Sequence, residues 1–431
     1  MRITSLGRHK ILIGELITKA AKLEFSRAMQ FDERKKPILP RGNMNDARLL
    51  YIHIPFCESL CTYCSFNRVL FEESLCRQYF NALRKEITLY REKGYNFSGI
   101  YVGGGTPTVL IDEMEETLSL ARECFKIREI SIETNPNHLT ERNIKILKRI
   151  GINRLSVGIQ SFDDSLLKAM GRYNSYGSGK IISERLINTL GHFDTLNADM
   201  IFNFPVQTID SINRDLDILV GTGVDQVTYY PLMVSDSTRR TVERTMGRVD
   251  YGKEKDFYRL ISRRLSPDYR FSSAWCFSRK DAMIDEYIVD YDEYAGLGSG
   301  SIGYINGRCY ANTFDIRQYI DKINRGEIPL MASRDFSLTD QIRYDFLMKL
   351  FGLKLKVAPL QKKYGRNVLP YLWRDIAASM MAGGLRYRHG DFHLTSRGRY
   401  YWVIMMREFF TAVNNFRDFC LRKQSRNPNA L

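Results

Sequence analysis

Three cysteines fall in one short run, Tyr51-Ile-His-Ile-Pro-Phe-Cys57-Glu-Ser-Leu-Cys61-Thr-Tyr-Cys64-Ser-Phe66, at the spacing C-x3-C-x2-C. Three thiolates from one loop hold three irons of a 4Fe-4S cluster and leave the fourth iron open. An open iron is a place for chemistry, whereas a fully ligated cluster mostly carries electrons. Zinc is the chemical rival, but structural zinc takes four ligands, usually as C-x2-C pairs. No second pair exists, because Cys76, Cys124, Cys276, Cys309 and Cys420 are scattered singly. His53 sits in an alternating Tyr-Ile-His-Ile stretch, which suits a buried or loop-facing histidine better than a ligand.

The elements that must position this loop follow a repeating pattern. From Leu49 onward, short β-rich runs alternate with amphipathic helical stretches. Strands are expected over Leu50–Ile54, Gly99–Val102, Glu129–Glu133, Arg154–Gly158, Ala198–Phe202 and Gln226–Tyr230. Helices are expected over Glu73–Tyr90, Ile111–Cys124, Glu141–Ile150, Lys180–Leu190 and Ser211–Val220. Strand–helix alternation predicts an α/β fold with a parallel sheet or partial barrel, and ligand chemistry at the C-terminal strand ends. The cysteine loop follows the first strand, a glycine run follows the second, and Glu133 closes the third.

Residues 1–47 read as a basic extension, with a helix over Ile11–Met29 and a proline-bearing linker over Phe31–Asn45. Residues 48–240 form the expected core, 241–335 a barrel extension and substrate region, and 336–431 a C-terminal helical cap. Beyond Pro231 the pattern predicts a helix over Tyr251–Leu265, a strand near Arg270–Trp275 and a glycine run, Gly296-Leu-Gly-Ser-Gly300. The cap is expected to hold helices Thr339–Phe351, Val357–Tyr364 and Asn367–Met381. A hairpin over Leu385–Leu394 and a long helix Gly398–Phe419 complete it, a winged-helix-like order. Basic residues including Arg417 and Arg422 mark the end of that helix.

The chain of 431 residues is 44% hydrophobic and 26% charged, an ordinary balance for a soluble globular protein. No run of 18 apolar residues argues for a membrane span, and the N-terminus lacks a secretory pattern. Unpaired cysteines and an oxygen-sensitive cluster point to a reducing cytoplasm. The net charge of +15 suits an anionic ligand, a nucleic acid or an acidic protein partner without choosing among them.

Five motifs in order resemble the radical S-adenosylmethionine (SAM) superfamily, and within it the oxygen-independent coproporphyrinogen III oxidase-like branch. They are Tyr51-Ile-His-Ile-Pro-Phe-Cys57, Gly103-Gly-Gly-Thr-Pro107, Ser131-Ile-Glu-Thr-Asn-Pro136, Ser156-Val-Gly-Ile-Gln-Ser-Phe162 with Arg172 beyond it, and Asp199-Met-Ile-Phe-Asn-Phe-Pro205. The resemblance covers residues 48–310 well and the C-terminal cap more weakly. It implies a (β/α) partial barrel in which Cys57, Cys61 and Cys64 ligate a 4Fe-4S cluster and one or two SAM molecules bind. Phe56 and Tyr63 would shield the cluster. Tyr51 would belong to the surrounding shell. Gly103, Gly104 and Gly105 would let backbone approach the methionine part of SAM, and Thr106 would add a hydroxyl. Glu133 and Asp199 would accept from ribose hydroxyls or the amino group; Gln160 and Arg172 would hold the ribose and carboxylate. Taken alone, Glu133 and Asp199 also read as helix caps or surface carboxylates, and Arg172 as a solvated helix end.

The resemblance implies reductive cleavage of SAM to a 5′-deoxyadenosyl radical, which abstracts hydrogen from an unreactive carbon of a tetrapyrrole in a decarboxylation or methylation. A flavodoxin- or ferredoxin-type donor would supply the electron. Two departures matter. Phe66 stands where the decarboxylase has a further cysteine, as in the branch's heme-trafficking relatives. Those relatives carry a His-Asn-x-x-Tyr-Trp motif, and the matching stretch here, Ser273-Ala-Trp-Cys-Phe-Ser-Arg-Lys-Asp-Ala282, has no histidine. A heme-delivery protein that keeps the cluster without turnover is therefore the alternative. A nucleic-acid binder is disfavoured, since the hairpin Arg386–His393 holds only two arginines. Arg239, Arg240, Arg279 and Lys280 are candidate contacts for substrate carboxylates, though charged loop residues are more often simply solvated; Arg68, whose position the cluster loop fixes, is the better candidate, and the glycine run 296–300 would border substrate or a second SAM.

Overall fold

The computed structural model describes residues 4–31, 37–42, 47–284 and 286–426. Its centre is a twelve-stranded sheet. The strands are β1 (Ala47–Ile54), β2 (Asn96–Gly104), β3 (Glu129–Thr134), β4 (Arg154–Gln160), β5 (Thr195–Phe202) and β6 (Gln226–Pro231). They continue as β7 (Arg270–Phe271), β8 (Cys276–Ser278), β9 (Tyr294–Leu297), β10 (Ile302–Ile305), β11 (Arg308–Asn312) and β12 (Leu330–Asp335). The order across the sheet is β12-β11-β10-β9-β1-β2-β3-β4-β5-β6-β8-β7. From β9 through β1 to β6 every pairing is parallel, and antiparallel strands extend the sheet at both edges.

Period-2 alternation explains why these runs form the sheet and how they serve a site. Leu50, Ile52 and Ile54 of β1, Ile130 and Ile132 of β3, and Leu155, Val157 and Ile159 of β4 are fully buried. Tyr51, His53, Tyr101, Glu133, Gly158, Gln160, Asp199 and Tyr230 occupy the alternate positions and line an internal cavity. The apolar face packs the crossover helices, α2 (Glu73–Glu92), α3 (Ile111–Cys124), α4 (Glu141–Arg149), α5 (Gly179–Thr189) and α6 (Ile209–Thr222). This is the expected α/β partial barrel.

Several segments differ from expectation, among them the edge strands β10, β11 and β12, which the pattern did not mark. Of the strand expected near Arg270–Trp275 only β7 forms, and β8 begins just beyond it; between them the Ser273 hydroxyl accepts from the Cys276 N–H at 3.1 Å and closes a turn. A helix absent from the pattern reading, α7 (Asp236–Met246), starts at a capping box in which Ser235 and Thr238 bond reciprocally. The helix expected from Tyr251 begins at Glu254 and is α8 (Glu254–Leu265). Another unforeseen helix, α9 (Ile316–Asn324), has Asp315 as its cap.

The C-terminal region holds α10 (Leu338–Phe351), α11 (Val357–Tyr364), α12 (Leu369–Met381) and α13 (Ser396–Arg426). Between them lies a three-stranded antiparallel sheet, Lys354–Lys356 beside Asp391–Leu394 beside Leu385–Arg388. The first of these strands was not foreseen. The N-terminal helix α1 (Thr4–Ala28) lies along α13, and Phe25 meets Phe409 edge-on at 5.4 Å. Residues of α1 and α13 therefore line the cavity together with the inner strand faces. Among the described residues no helix is long and apolar enough to cross a membrane.

Candidate functional site

The site lies at the C-terminal ends of β1 to β5, in a cavity of about 740 Å³. Its cysteine loop leaves β1 at Pro55. Phe56–Cys57 pairs in parallel with Val69–Leu70, fastened by the Val69 N–H to the Pro55 carbonyl at 2.7 Å and the Phe71 N–H to the Cys57 carbonyl at 2.8 Å. That small ribbon fixes both ends of the loop. Arg68 fixes its middle, donating from Nη2 to the carbonyls of Cys61 at 2.7 Å and Cys64 at 2.9 Å. Cys57, Cys61 and Cys64 are all free thiols and all line the cavity. Burial, with Cys64 close by, pushes the Cys57 thiol up to about 12. Among the described residues no three His, Cys, Asp or Glu side chains form a group for a single metal ion.

The second strand supplies a cradle that only glycine fits. Gly104 has φ +118°, a conformation that side chains avoid. A Cβ on Gly105 would lie 2.6 Å from the Phe56 carbonyl oxygen and 2.9 Å from Cys57 Sγ. A Cβ on Gly103 would meet the Glu133 carboxylate at 2.8 Å. The run therefore brings β2 against the cysteine loop on one side and β3 on the other.

The polar residues on the inner strand faces hold one another. The Tyr101 hydroxyl donates to Glu133 Oε1 at 2.8 Å, and the Gly104 N–H donates to its Oε2 at 3.2 Å. Ser156 Oγ donates to Asp199 Oδ2 at 2.7 Å, and Asn197 to Oδ1 at 2.8 Å. Gln160 has φ +73° at a β4–β5 bulge, which turns it toward the cavity. Arg172 is buried. It donates from Nη1 to Cys61 Sγ at 3.3 Å and from Nη2 to Asn135 at 3.1 Å and to the Gly158 carbonyl, and it lies over the Tyr176 ring at 4.2 Å. It is thus no solvated helix end, and its first partner in the structure is a cysteine of the loop.

His53 is buried, and burial lowers its pKa to about 4. The neutral ring meets both its partners when Nε2–H donates to the Asn67 carbonyl at 2.8 Å and Nδ1 accepts from the Tyr51 hydroxyl at 2.9 Å. Burial and the nearby Glu133 raise the Tyr51 phenol well above its usual value, so it remains a donor. Tyr63 packs edge-on to Phe204 at 5.4 Å and lines the cavity.

Eleven of the expected residues meet at the cavity wall: Cys57, Cys61, Cys64, Tyr51, Tyr63, Gly104, Gly105, Glu133, Gln160, Arg172 and Asp199. Three stand behind it. Phe56 is fully buried against Tyr79, Gly103 backs onto Glu133, and the Thr106 hydroxyl bonds Asn135 at 2.8 Å and the Cys57 thiol. Of the late glycine run only Gly300 reaches the cavity wall. Gly298 is pinned beneath β1, where a Cβ would meet the Tyr79 hydroxyl at 2.4 Å. The expected carboxylate contacts need correction: Arg239, Arg240, Arg279 and Lys280 are absent from the wall. Arg239 pairs with Asp236, Arg279 lies over Tyr269 and Lys280 approaches Asp225 at 3.9 Å. Arg68 does line it.

Sequence reasoning missed Arg417 and a row of tyrosines. Arg417, read as one of the basic residues at the helix end, is 6% exposed and faces the cavity from α13. Tyr101, Tyr287, Tyr294, Tyr304 and Tyr344 line the wall, with Tyr101 and Tyr287 centroids 5.3 Å apart and Tyr304 and Tyr344 4.6 Å apart. The alternation of β1 and β2 signalled Tyr51 and Tyr101; nothing local marked the others.

Three thiols from one loop, a glycine cradle against one of them and a guanidinium on another fit the donor set of an iron–sulfur cluster whose thiolates need positive neighbours.

The radical SAM superfamily model matches residues 51–219. The heme chaperone HemW of Bacillus subtilis (strain 168) is 28% identical over 372 residues, covering 81% of this chain and 95% of that protein. The anaerobilin synthase of Escherichia coli O157:H7 is 30% identical over 312 residues, covering 66% of this chain and 67% of that protein. The solved coproporphyrinogen III oxidase from Escherichia coli shares the fold, with a TM-score of 0.72 at 22% identity over 88% of this chain and 95% of that one. Motifs, strand-end geometry and these matches agree: the chain is similar to the oxygen-independent coproporphyrinogen III oxidase-like branch, and it belongs to the radical SAM superfamily.

Proposed function

We propose that this chain is a radical SAM enzyme that abstracts a hydrogen atom from a carbon of a tetrapyrrole. The observation that carries this reading is the convergence of three free cysteines, Arg172 and the strand-end acceptors Glu133 and Asp199 on one 740 Å³ cavity. A volume of this size lies in the upper part of the range for small-molecule sites, about 300–1,000 Å³. The family uses a 4Fe-4S cluster and SAM, and together these supply one-electron cleavage of the sulfonium and a carbon radical for hydrogen abstraction.

The chain's own residues do the rest. Cys57, Cys61 and Cys64 ligate. Arg68 and Arg172 offset thiolate charge, and each charge-assisted bond contributes about 1.5–3 kcal/mol. The backbone of Gly103–Gly105 admits the amino-acid end of SAM. Glu133 and Asp199, each held by two donors, are fixed acceptors for ribose hydroxyls or an amino group. The tyrosine wall and helices α1 and α13 exclude water from the reacting carbon. The basic balance suits an acidic flavodoxin- or ferredoxin-type electron donor.

The test is anaerobic reconstitution, then dithionite, SAM and candidate tetrapyrroles, reading 5′-deoxyadenosine and product mass. We expect 5′-deoxyadenosine with loss of carboxyl or gain of methyl mass, and loss of 5′-deoxyadenosine formation in Cys61→Ala, which removes one of the three thiolates. A fully loaded protein that makes no 5′-deoxyadenosine sinks the reading.

A heme-delivery role is the second reading. The Bacillus subtilis heme chaperone match, which covers 95% of that protein, favours it. Against it, both ring nitrogens of His53, the histidine on the cavity wall among the described residues, are engaged. The matching stretch around Trp275 is buried, with Trp275 Nε1 donating to Glu286. A Soret shift on heme titration without 5′-deoxyadenosine formation would decide for delivery.

A further inference from the structure

Five arginines line the cavity: Arg68, Arg172, Arg334, Arg343 and Arg417. Three are committed. Arg172 holds Cys61, Asn135 and Gly158; Arg334 donates to the carbonyls of Arg27 and Ala28, each at 2.6 Å; Arg343 pairs with Glu24 and with Asp375 at 3.0 Å. Arg68 is committed only through Nη2, to the Cys61 and Cys64 carbonyls, and Arg417 keeps idle donors as well. Nε and Nη1 of Arg68 and Nε and Nη1 of Arg417 are buried without hydrogen-bond partners. Arg417 is 6% exposed and rests over the ring of Phe66 at 5.7 Å, which brings it to the cysteine loop. Its chain neighbour Asp418 is engaged, accepting from the Ser237 N–H at 3.0 Å.

Burial lowers the pKa of Arg417, and Arg68 adds repulsion to that effect, partly offset by Cys64, Tyr51 and Asp418. Two buried guanidiniums with four idle donor nitrogens, brought together at the cysteine loop through Phe66, suit an anion between them. A carboxylate fits best, because its two oxygens match the guanidinium fork. The same cavity also presents aromatic rings, with Tyr51, Tyr287, Phe409 and Phe410 among its walls. The matching ligand has a broad apolar body and an acid side chain.

We propose that Arg68 and Arg417 form a carboxylate subsite, which receives one acid side chain of the substrate and seats the ring beside the cysteine loop. This deepens the function proposed above and rests on it. Arg417 becomes a specificity residue supplied by the C-terminal helix, where the cysteines come from the barrel.

The test uses the full-length, anaerobically reconstituted protein with deuteroporphyrin and its dimethyl ester as probes. Binding is followed by tryptophan fluorescence, since Trp402 lines the cavity. The wild type should prefer the free acid by at least about 10-fold. Arg417→Gln should weaken free-acid binding by about 10- to 100-fold, the loss of charge-assisted bonds, and leave ester binding, SAM binding and iron content unchanged. Arg417→Lys, which keeps the charge and loses the fork, should recover part of the preference. It also carries the test if the glutamine variant does not fold.

Several results overturn the subsite. One is equal binding of acid and ester by the wild type, which leaves the tetrapyrrole reading standing. Another is an acid preference that survives in the variant. A third is weakened SAM binding with porphyrin binding intact, which makes the pair a site for the SAM carboxylate. A fourth is a shifted cluster potential with unchanged acid preference, which makes Arg417 a partner of the cluster. Failure of the wild type to bind either porphyrin removes the subsite and the tetrapyrrole reading together.

Discussion

Gly105 shows how little room the cysteine loop has. Its Cα lies where the Phe56 carbonyl and the Cys57 thiol crowd in, and an added methyl would sit 2.6 Å and 2.9 Å from them. Both neighbours are fixed, the carbonyl by the Thr106 N–H at 2.8 Å and the thiol by its place on the small ribbon. Gly105→Ala must therefore push Cys57 out of line while disturbing little of the barrel. We expect iron per chain after reconstitution to fall several-fold with little change in helical circular dichroism; full iron loading would contradict the crowding. The sequence marked Gly105, Cys57 and Thr106 as site residues. It did not show that Thr106 turns to Asn135 and Cys57, because that depends on β3 arriving alongside.

At the scale of elements, the alternation along β1 to β5 does two jobs. Apolar residues on one face bury the helices, and the other face is left to aromatic and polar residues that the cavity needs. This was legible in the sequence, because strand period and burial are local properties. The late glycine run was marked as well, but not what holds it. It is held from behind by α2, where the buried Glu86 accepts from the Gly298 N–H at 2.8 Å, the Tyr319 hydroxyl at 2.6 Å and Asn312 at 3.2 Å. Burial raises the Glu86 carboxyl to about 7 against these hydrogen bonds. The folded state thus holds this proton more tightly than the unfolded chain. The resulting stability is full below the unfolded value of 4.5, declines as pH rises to about 7, and is gone above that. The span corresponds to about 3 kcal/mol. Glu86→Gln, neutral at every pH, should flatten that decline, so that urea unfolding shows a smaller fall in stability from pH 4.5 to 8 than in the wild type. An unchanged slope would mean that Glu86 does not carry the buried proton.

Across the whole molecule, α13 ties three regions together. Arg407 on this helix pairs with Glu254 of α8, bonds Glu408 at 2.9 Å, and reaches Thr18 of α1 at 3.3 Å. Both Arg407 and Glu254 are essentially inaccessible, so removing one partner strands a buried charge. Arg407→Met should cost about 3–5 kcal/mol in chemical denaturation. The double change Glu254→Gln with Arg407→Met should recover part of it, and equal losses in both would show that packing, not charge, carries the effect. The same helix carries Arg417 and, with α1, lines the cavity, so docking of the C-terminal region contributes to the site and to the fold at once.

The sequence by itself determined the cluster loop, the strand-end motifs and the alternating barrel, because each rests on spacing within a few residues of chain. Only the tertiary structure decided the far wall of the site. Arg417, Tyr287, Tyr304 and Tyr344 reach the cavity because the edge strands and the C-terminal helices fold back over the barrel, and no local period records that return. It also removed Arg239, Arg240, Arg279 and Lys280 from the site, since charge alone does not say which way a loop faces. Cysteine spacing is fixed along the chain, whereas the place where an arginine from the last helix meets the loop is fixed by packing.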